Sequence, residues 1–113
     1  MIQIYHNPRC SKSRQCLQLL EQTKQPFEII KYLDQPFSKE DLIQLLQKLE
    51  IAPIDLVRTQ EAIWKEKFKG KDLADNEIIQ ALINYPKLIE RPIVVNGDQA
   101  VIGRPPEDAL KIV

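Results

Sequence analysis

Cys10 stands where a short apolar run gives way to a helical pattern. Residues 2–5 predict a strand, and residues 6–9 predict a turn because they include Asn and Pro. A helix is expected from Cys10 or Ser11 to about Thr23. Unpaired N–H groups and the helix dipole place partial positive charge at a helix start. We therefore expect the pKa of the Cys10 thiol to be lowered, which would make it a nucleophile near neutral pH.

The second cysteine, Cys16, has a different pattern. It shares an apolar stripe with Leu17 and Leu20, and six helical residues turn it about 240° away from Cys10. Free cysteines on such stripes are usually small buried hydrophobes, so Cys16 is predicted to be structural. Ser13 stands where a Cys-x-x-Cys pair would have its second thiol. If Cys10 does redox work, a thiol from another molecule must resolve it.

His6 is the only histidine in the chain. Two interpretations are equally open: it orients or protonates a group near Cys10, or it caps the strand and hydrogen-bonds the loop. One histidine and two cysteines on different faces do not complete a zinc site, so no metal is expected.

Three arginines, Arg58, Arg91 and Arg104, lie at or beside the ends of predicted elements. The planar guanidinium suits a bidentate grip on tetrahedral oxyanions. Taken singly, each arginine is better interpreted as a member of a surface ion pair.

The remaining pattern predicts helices, then a hairpin and a short helix. Phe27–Ile30 reads as a second strand, and Ser38 with Asp41 forms a capping-box signal. The other expected elements are a helix with an apolar stripe from Leu42 to Leu49, a helix over Ala62–Phe68, a helix from Asp75 that buries Ile78, Ile79, Leu82 and Ile83, strands at Ile93–Val95 and Ala100–Ile102 joined by Asn96-Gly97, and a short helix after Pro105-Pro106. This order indicates an α/β fold with a four-stranded mixed sheet flanked by helices, which is the thioredoxin-like arrangement.

Composition narrows the function classes. The 113 residues are 43% apolar and 28% charged, with 16 basic and 16 acidic side chains. Such a chain is expected to form one globular domain over residues 1–113, and its zero net charge argues against nucleic acid as a partner. No apolar run exceeds three residues, so we expect no membrane segment. Without an export signal, a cytoplasmic protein with reduced thiols is expected.

These residues together resemble the ArsC family, the glutaredoxin-coupled arsenate reductases. The matching stretches are Tyr5-His6-Asn7-Pro8-Arg9-Cys10 with Ser13-Arg14, Leu56-Val57-Arg58, Leu88-Ile89-Glu90-Arg91-Pro92-Ile93-Val94-Val95 and Ile102-Gly103-Arg104-Pro105. They span essentially the whole chain in the family's order. The resemblance implies a single thioredoxin-fold domain with an inserted helical section.

The resemblance also implies a role for each site residue. Cys10 would be the nucleophile and His6 the histidine near the thiolate. Three arginines would bind the oxyanion: Arg58, Arg91 and Arg104. Ser13 and Arg14 would support the site, and Pro92 matches the position of a cis proline in thioredoxin-like proteins.

The reaction implied is reduction of arsenate, or of a similar oxyanion, to arsenite. Glutathione would serve as co-substrate and glutaredoxin as the partner that regenerates the enzyme, with no bound cofactor. Where the family commonly has Gly-Thr after the cysteine, this chain has Ser11-Lys12, and Lys12 adds positive charge near the anion site.

Two other functions share this fold. Spx-type regulators bind RNA polymerase, but they typically carry Cys-x-x-Cys, which Ser13 removes here. A general glutathione-dependent thiol oxidoreductase would use the same nucleophile, but it would not need three arginines around one anion. The retained arginines therefore favour the reductase.

Overall fold

The strands and helices follow the predicted order along the chain. A computed structural model describes residues 1–113. Its strands and α-helices are β1 (Ile2–Tyr5), α1 (Ser11–Gln22), β2 (Phe27–Ile30), α2 (Lys39–Leu49), α3 (Ala62–Lys67), α4 (Asp75–Asn84), β3 (Ile93–Asn96) and β4 (Gln99–Ile102). Short 3-10 helices cover Pro53–Leu56, Pro86–Leu88 and Pro106–Lys111. The short helix predicted after Pro105-Pro106 is therefore present as a 3-10 helix.

The chain divides into two compact units. The first comprises Met1–Gln35 and Arg91–Val113, and the second comprises Pro36–Glu90. The second unit is the helical section inserted between β2 and β3. That residues 1–113 behave as one domain stays a prediction.

The first unit contains a four-stranded mixed sheet in the order β2-β1-β3-β4. β1 pairs in parallel with β2 and antiparallel with β3, and β3 pairs antiparallel with β4. A parallel β-α-β unit joined to an antiparallel hairpin is the predicted thioredoxin-like arrangement, which is confirmed.

Parallel pairing brings the carboxyl ends of β1 and β2 together. Tyr5 lies opposite Ile30, and the His6 N–H continues the ladder by donating to the Ile30 carbonyl at 2.8 Å. The loops that follow both strands therefore leave the same edge of the sheet.

The β3–β4 turn lies one residue later than Asn96-Gly97 predicts. Asn96 is paired with Gln99, so the two central residues are Gly97 and Asp98. Gly97 has φ +63°, which glycine adopts without steric cost. The Asn96 side chain instead donates to the Ile112 carbonyl at 2.6 Å, which ties β3 to the C-terminal segment.

The core of the first unit lies where α1 and the last 3-10 helix pack on the sheet. Its fully or almost fully buried side chains are Ile2, Ile4, Cys16, Leu20, Val94 and Ala109. Full burial of each Ile, Leu or Val side chain in this cluster contributes about 1.5–3 kcal/mol before entropy is subtracted. This packing fixes the first turn of α1, and with it Cys10, against the sheet.

The second unit is helical. α2 starts at a complete capping box, in which Ser38 and Asp41 each accept from the other's backbone N–H. Leu42, Leu45 and Leu46 of α2 are buried, as predicted. In α4 the buried residues are Ile78, Ile79, Ala81 and Leu82, whereas Ile83, which is predicted to be buried, is only half-buried.

No helix in the structure combines the length and apolar character that crossing a membrane requires.

Candidate active site

Cys10 occupies the N-cap position of α1. Its backbone is extended, with φ −97°. The residue is only 8% exposed. Its N–H donates to the Asn7 carbonyl at 3.0 Å, and its carbonyl accepts the first helical bond from Arg14 at 3.0 Å. The backbone is thus fixed on both sides of the thiol, while the sulfur stays available as an acceptor.

The pKa of the Cys10 thiol lies below its ordinary value. Burial alone would raise this pKa. Three effects outweigh it: the Ser13 backbone N–H bonds the sulfur, the Arg91 guanidinium attracts and bonds the thiolate, and the Lys12 backbone N–H adds a further bond. These donors are the open N–H groups of the first helical turn, as the strand-to-helix position predicts.

Two arginines converge on the sulfur. Arg104 Nη2 lies 3.7 Å from Cys10 Sγ, and Arg104 Nε donates to the Arg91 carbonyl at 2.7 Å. The Nε of Arg91 is buried and has no hydrogen-bond partner. A buried guanidinium N–H without an acceptor is costly, and an oxyanion bound at the thiol would offer one.

The peptide bonds preceding Pro92 and Pro105 are both cis. The first is the one that the resemblance implies, whereas the second has no counterpart in the sequence-based predictions. The Gly103 N–H donates to the Pro92 carbonyl at 2.8 Å. A Cβ at Gly103 would lie 2.9 Å from Pro92 Cγ and 3.2 Å from Cys16 Sγ, so only glycine fits here. This close packing orients the loops that carry both arginines.

His6 is buried, with 5% of its surface exposed, and its Nδ1 lies 2.6 Å from Ser13 Oγ. Ser13 Oγ also accepts from the Asn7 N–H at 3.1 Å. Burial lowers the pKa of His6, and the charges of Lys31 and Arg14 lower it further. We assign a neutral ring whose Nδ1 accepts the Ser13 hydroxyl proton. His6 therefore contacts a residue whose backbone holds the thiol, and its direct role in catalysis stays a prediction.

Arg14 supports the loop before Cys10. Its Nη1 donates to the Pro8 carbonyl at 2.9 Å. The charge that lowers the Cys10 pKa comes from Arg91 and not from Arg9, Lys12 or Arg14, the cations closest to Cys10 in sequence. The difference arises because Arg91 reaches the sulfur from a loop distant in sequence.

Arg58 lies in the second unit. Its N–H donates to the Leu88 carbonyl at 2.7 Å, within a short antiparallel bridge between Val57 and Ile89. Its guanidinium pairs with two carboxylates: Nη1 with Glu61, and Nε with Glu90 at 3.6 Å. Its role as an oxyanion ligand stays a prediction.

Cys16 is fully buried, and burial raises the pKa of its thiol to about 11. The nearby Glu107 adds to the same shift. A thiol in this state is neutral and inaccessible at physiological pH, as its place on the apolar stripe predicts.

Three charged residues near the predicted site residues are not singled out by the sequence pattern. Lys31 follows β2 and acts electrostatically on His6, while Glu61 and Glu90 hold Arg58. The sequence signal for Lys31 is its place after a strand parallel to β1. Glu90 lies within a stretch that carries the family resemblance, whereas nothing in the local pattern marks Glu61.

The arrangement in the first unit combines a thiol of lowered pKa with two guanidinium groups. A thiolate attacks an electrophile, and the cations would hold an anion against it. No cluster of three or more His, Cys, Asp or Glu side chains is placed to hold a metal ion.

Known proteins resemble this chain over almost its full length. The ArsC family model matches residues 5–112. A Haemophilus influenzae protein named arsenate reductase is 43% identical over 97% of this chain and 97% of its own length. An uncharacterized Escherichia coli protein, YfgD, is 44% identical over 99% of this chain and 96% of its own. The solved structure of an arsenate reductase from Vibrio cholerae superposes with a TM-score of 0.95 at 45% identity, covering 99% of this chain and 97% of that one. With its thioredoxin-like sheet and its cysteine at the start of α1, the chain belongs to the ArsC family.

Proposed function

We propose that the protein is a glutathione- and glutaredoxin-dependent arsenate reductase. The observation that carries this proposal is the thiol of lowered pKa at Cys10 beside the guanidinium groups of Arg91 and Arg104. Relatives named arsenate reductase, similar over almost the whole chain, support arsenate as the substrate.

Substrate binding follows from the charges. Arsenate is a tetrahedral oxyanion that accepts bidentate hydrogen bonds from guanidinium groups. The unpartnered Nε–H of Arg91 supplies one donor, and the Arg104 guanidinium supplies others. Arg58 is the third proposed ligand. These donors also stabilise negative charge as it moves over the oxygens in the transition state.

The chemistry takes two steps at the sulfur. The Cys10 thiolate attacks arsenic(V), an As–S bond forms, and one arsenate oxygen leaves as water after protonation. The glutathione thiolate then attacks the Cys10 sulfur, and the As–S electron pair goes to arsenic. Arsenic(V) is thereby reduced to arsenic(III), which leaves as arsenite, and Cys10 becomes a mixed disulfide with glutathione.

Regeneration requires a second protein, because Ser13 occupies the place of a resolving thiol and Cys16 is buried. Glutaredoxin attacks the glutathione sulfur of the mixed disulfide and releases the Cys10 thiolate. Both cysteines are free thiols. A reducing compartment such as the cytoplasm suits an enzyme whose nucleophile is a free cysteine.

A coupled assay tests the proposal. Purified protein with glutathione, glutaredoxin, glutathione reductase and NADPH should oxidise NADPH only when arsenate is added. Cys10→Ser should abolish this rate, and Cys16→Ser, as the matched control, should retain most of it.

Comparable loss from both substitutions would refute Cys10 as the single nucleophile. Arsenate-independent turnover of mixed disulfides would favour a general thiol oxidoreductase. Binding to RNA polymerase without any turnover would favour a regulator.

A further inference from the structure

A cavity of about 350 Å³ lies beside the Cys10 loop, at the carboxyl ends of β1 and β2. Its walls come from the segments that follow these strands, residues 6–9 on one side and Lys31, Leu33 and Asp34 on the other. Ligands of sheet proteins commonly bind outside the carboxyl ends of strands. The volume is at the small end for ligand pockets and suits an amino-acid-sized group.

The cavity carries charges of both signs. Arg9 and Lys31 supply two cations, Asp34 supplies one anion, and the buried His6 forms part of the wall. Lys31 lies close enough to His6 for its charge to lower the pKa of that ring. A ligand that matches the lining has a carboxylate and an ammonium group close together.

We propose that this cavity binds the γ-glutamyl end of glutathione, with its α-carboxylate on Arg9 and Lys31 and its α-ammonium on Asp34. The assignment rests on the proposed function, because that function makes glutathione the co-substrate. The position is suitable because the Asn7–Arg9 wall leads directly into Cys10, whose N–H is bonded to the Asn7 carbonyl. Glutathione anchored there presents its thiol from the side of the loop, while the arginines hold the oxyanion.

The test uses disulfide exchange, which needs no arsenate. In this exchange the Cys10 thiolate attacks oxidised glutathione, forms the mixed disulfide and releases one glutathione thiolate. Two disulfides are compared, oxidised glutathione and the neutral bis(2-hydroxyethyl) disulfide. Each rate is divided by the rate at which a free thiol of the same pKa reacts with the same disulfide. On this scale, we expect the wild-type protein to react faster with oxidised glutathione. Added salt should reduce this preference, since the contacts are ionic.

Lys31→Gln and Asp34→Asn should each lower the oxidised-glutathione rate about fivefold to tenfold, as expected when a 1–1.4 kcal/mol contact is lost. The rate with the neutral disulfide should not change. Both side chains are exposed, so the variants should fold, and thermal unfolding checks this. Lys71→Gln, at an exposed lysine in the second unit, is the matched control and should behave as wild type.

The disulfide of γ-glutamylcysteine lacks the glycine of glutathione. Its exchange rate should still fall in Lys31→Gln, as the rate with oxidised glutathione does. A dependence that disappears with this probe would overturn the assignment of the γ-glutamyl end. Equal losses with charged and neutral disulfides, or no loss with either, would overturn the cavity as a binding site. If the protein does not reduce arsenate but its exchange with oxidised glutathione still depends on Lys31 and Asp34, the proposed reductase function is refuted and the cavity assignment stands.

Discussion

At the scale of single residues, the site depends on which charges reach the Cys10 sulfur. Burial opposes ionisation of this thiol, and its pKa is lowered only because specific donors outweigh that cost. Backbone N–H groups of the first helical turn cannot be removed by a conservative substitution, because only proline lacks this group. The Arg91 side chain can, and it therefore provides the sharpest test.

Arg91→Met should raise the pKa of Cys10, because it removes both an attractive charge and a hydrogen bond. The pH dependence of Cys10 alkylation by iodoacetamide, followed in a Cys16→Ser background, measures this pKa. Arg91→Lys keeps the positive charge, so the pKa of Cys10 should shift less in this variant. It should nevertheless bind sulfate or arsenate more weakly, since lysine lacks the guanidinium fork. Unchanged anion affinity in Arg91→Lys would contradict the role of Arg91 as a ligand.

A second residue-scale prediction concerns Glu61, whose carboxylate pairs with Arg58. If Arg58 binds the oxyanion, Glu61 competes for one of its donors and repels the anion. Glu61→Gln should therefore lower the KM for arsenate about threefold to tenfold, equivalent to about 0.6–1.4 kcal/mol. Glu66→Gln, at an exposed position of α3, is the control and should leave KM unchanged. An unaltered KM in Glu61→Gln would argue against Arg58 as a ligand.

At the scale of elements, the site depends on how loops from different parts of the first unit pack together. The segment before β3 carries Arg91 and Pro92, and the segment after β4 carries Gly103 and Arg104. Antiparallel pairing of β3 and β4 brings these segments together, since Ile93 lies opposite Ile102. The hairpin therefore delivers two arginines that are distant in sequence to one sulfur at the start of α1.

Gly103→Ala should destabilise the fold by about 1–3 kcal/mol, because the added methyl group overlaps Pro92 Cγ and crowds Cys16 Sγ. Urea unfolding measures this loss. Displacement of Pro92 should also disturb Arg91, so the Cys10 alkylation rate at neutral pH should fall. Double substitution with Cys16→Ala removes one of the two crowded atoms and is expected to relieve part of the effect. A single variant as stable as wild type would contradict the close packing.

At the scale of the whole molecule, basic and acidic side chains are equal in number, and the sequence pI is about 6.6. The pH dependence of the free energy of unfolding nevertheless comes mainly from buried groups, because their pKa values differ between the folded and the unfolded chain. Cys16 is the clearest of these, since it is fully buried and neutral in the folded state.

The pKa of Cys16 is raised from 9.0 in the unfolded reference to about 11 in the folded protein. Below pH 9 the thiol is neutral in both states, and its full contribution to stability is present. As pH rises from 9 to 11, the unfolded chain loses the proton first, so the free energy of unfolding falls, by about 2–3 kcal/mol in total. Urea unfolding across this range should show the decline. The decline should be smaller in Cys16→Ala. An identical pH profile in the wild-type protein and this variant would contradict the raised pKa assigned to Cys16.

The sequence by itself determined the order of elements and the candidate nucleophile, because both depend on local pattern. Apolar periodicity and the Ser38–Asp41 capping box mark the helices, and a cysteine between a strand and a helix lies at the positive end of the helix dipole. The resemblance then supplied the candidate arginines. The β3–β4 turn was off by one residue, since the Asn96 side chain bonds to Ile112 instead of forming the turn.

Only the tertiary structure decided which partners act on each of these residues. Arg91 rather than the adjacent cations lowers the Cys10 pKa, and Lys31 joins the wall of a cavity beside the loop that precedes Cys10. These contacts join positions far apart along the chain through the pairing of β1 with β2 and of β3 with β4. Their energies depend on distance and burial, and neither quantity is encoded in the local spacing of residue types.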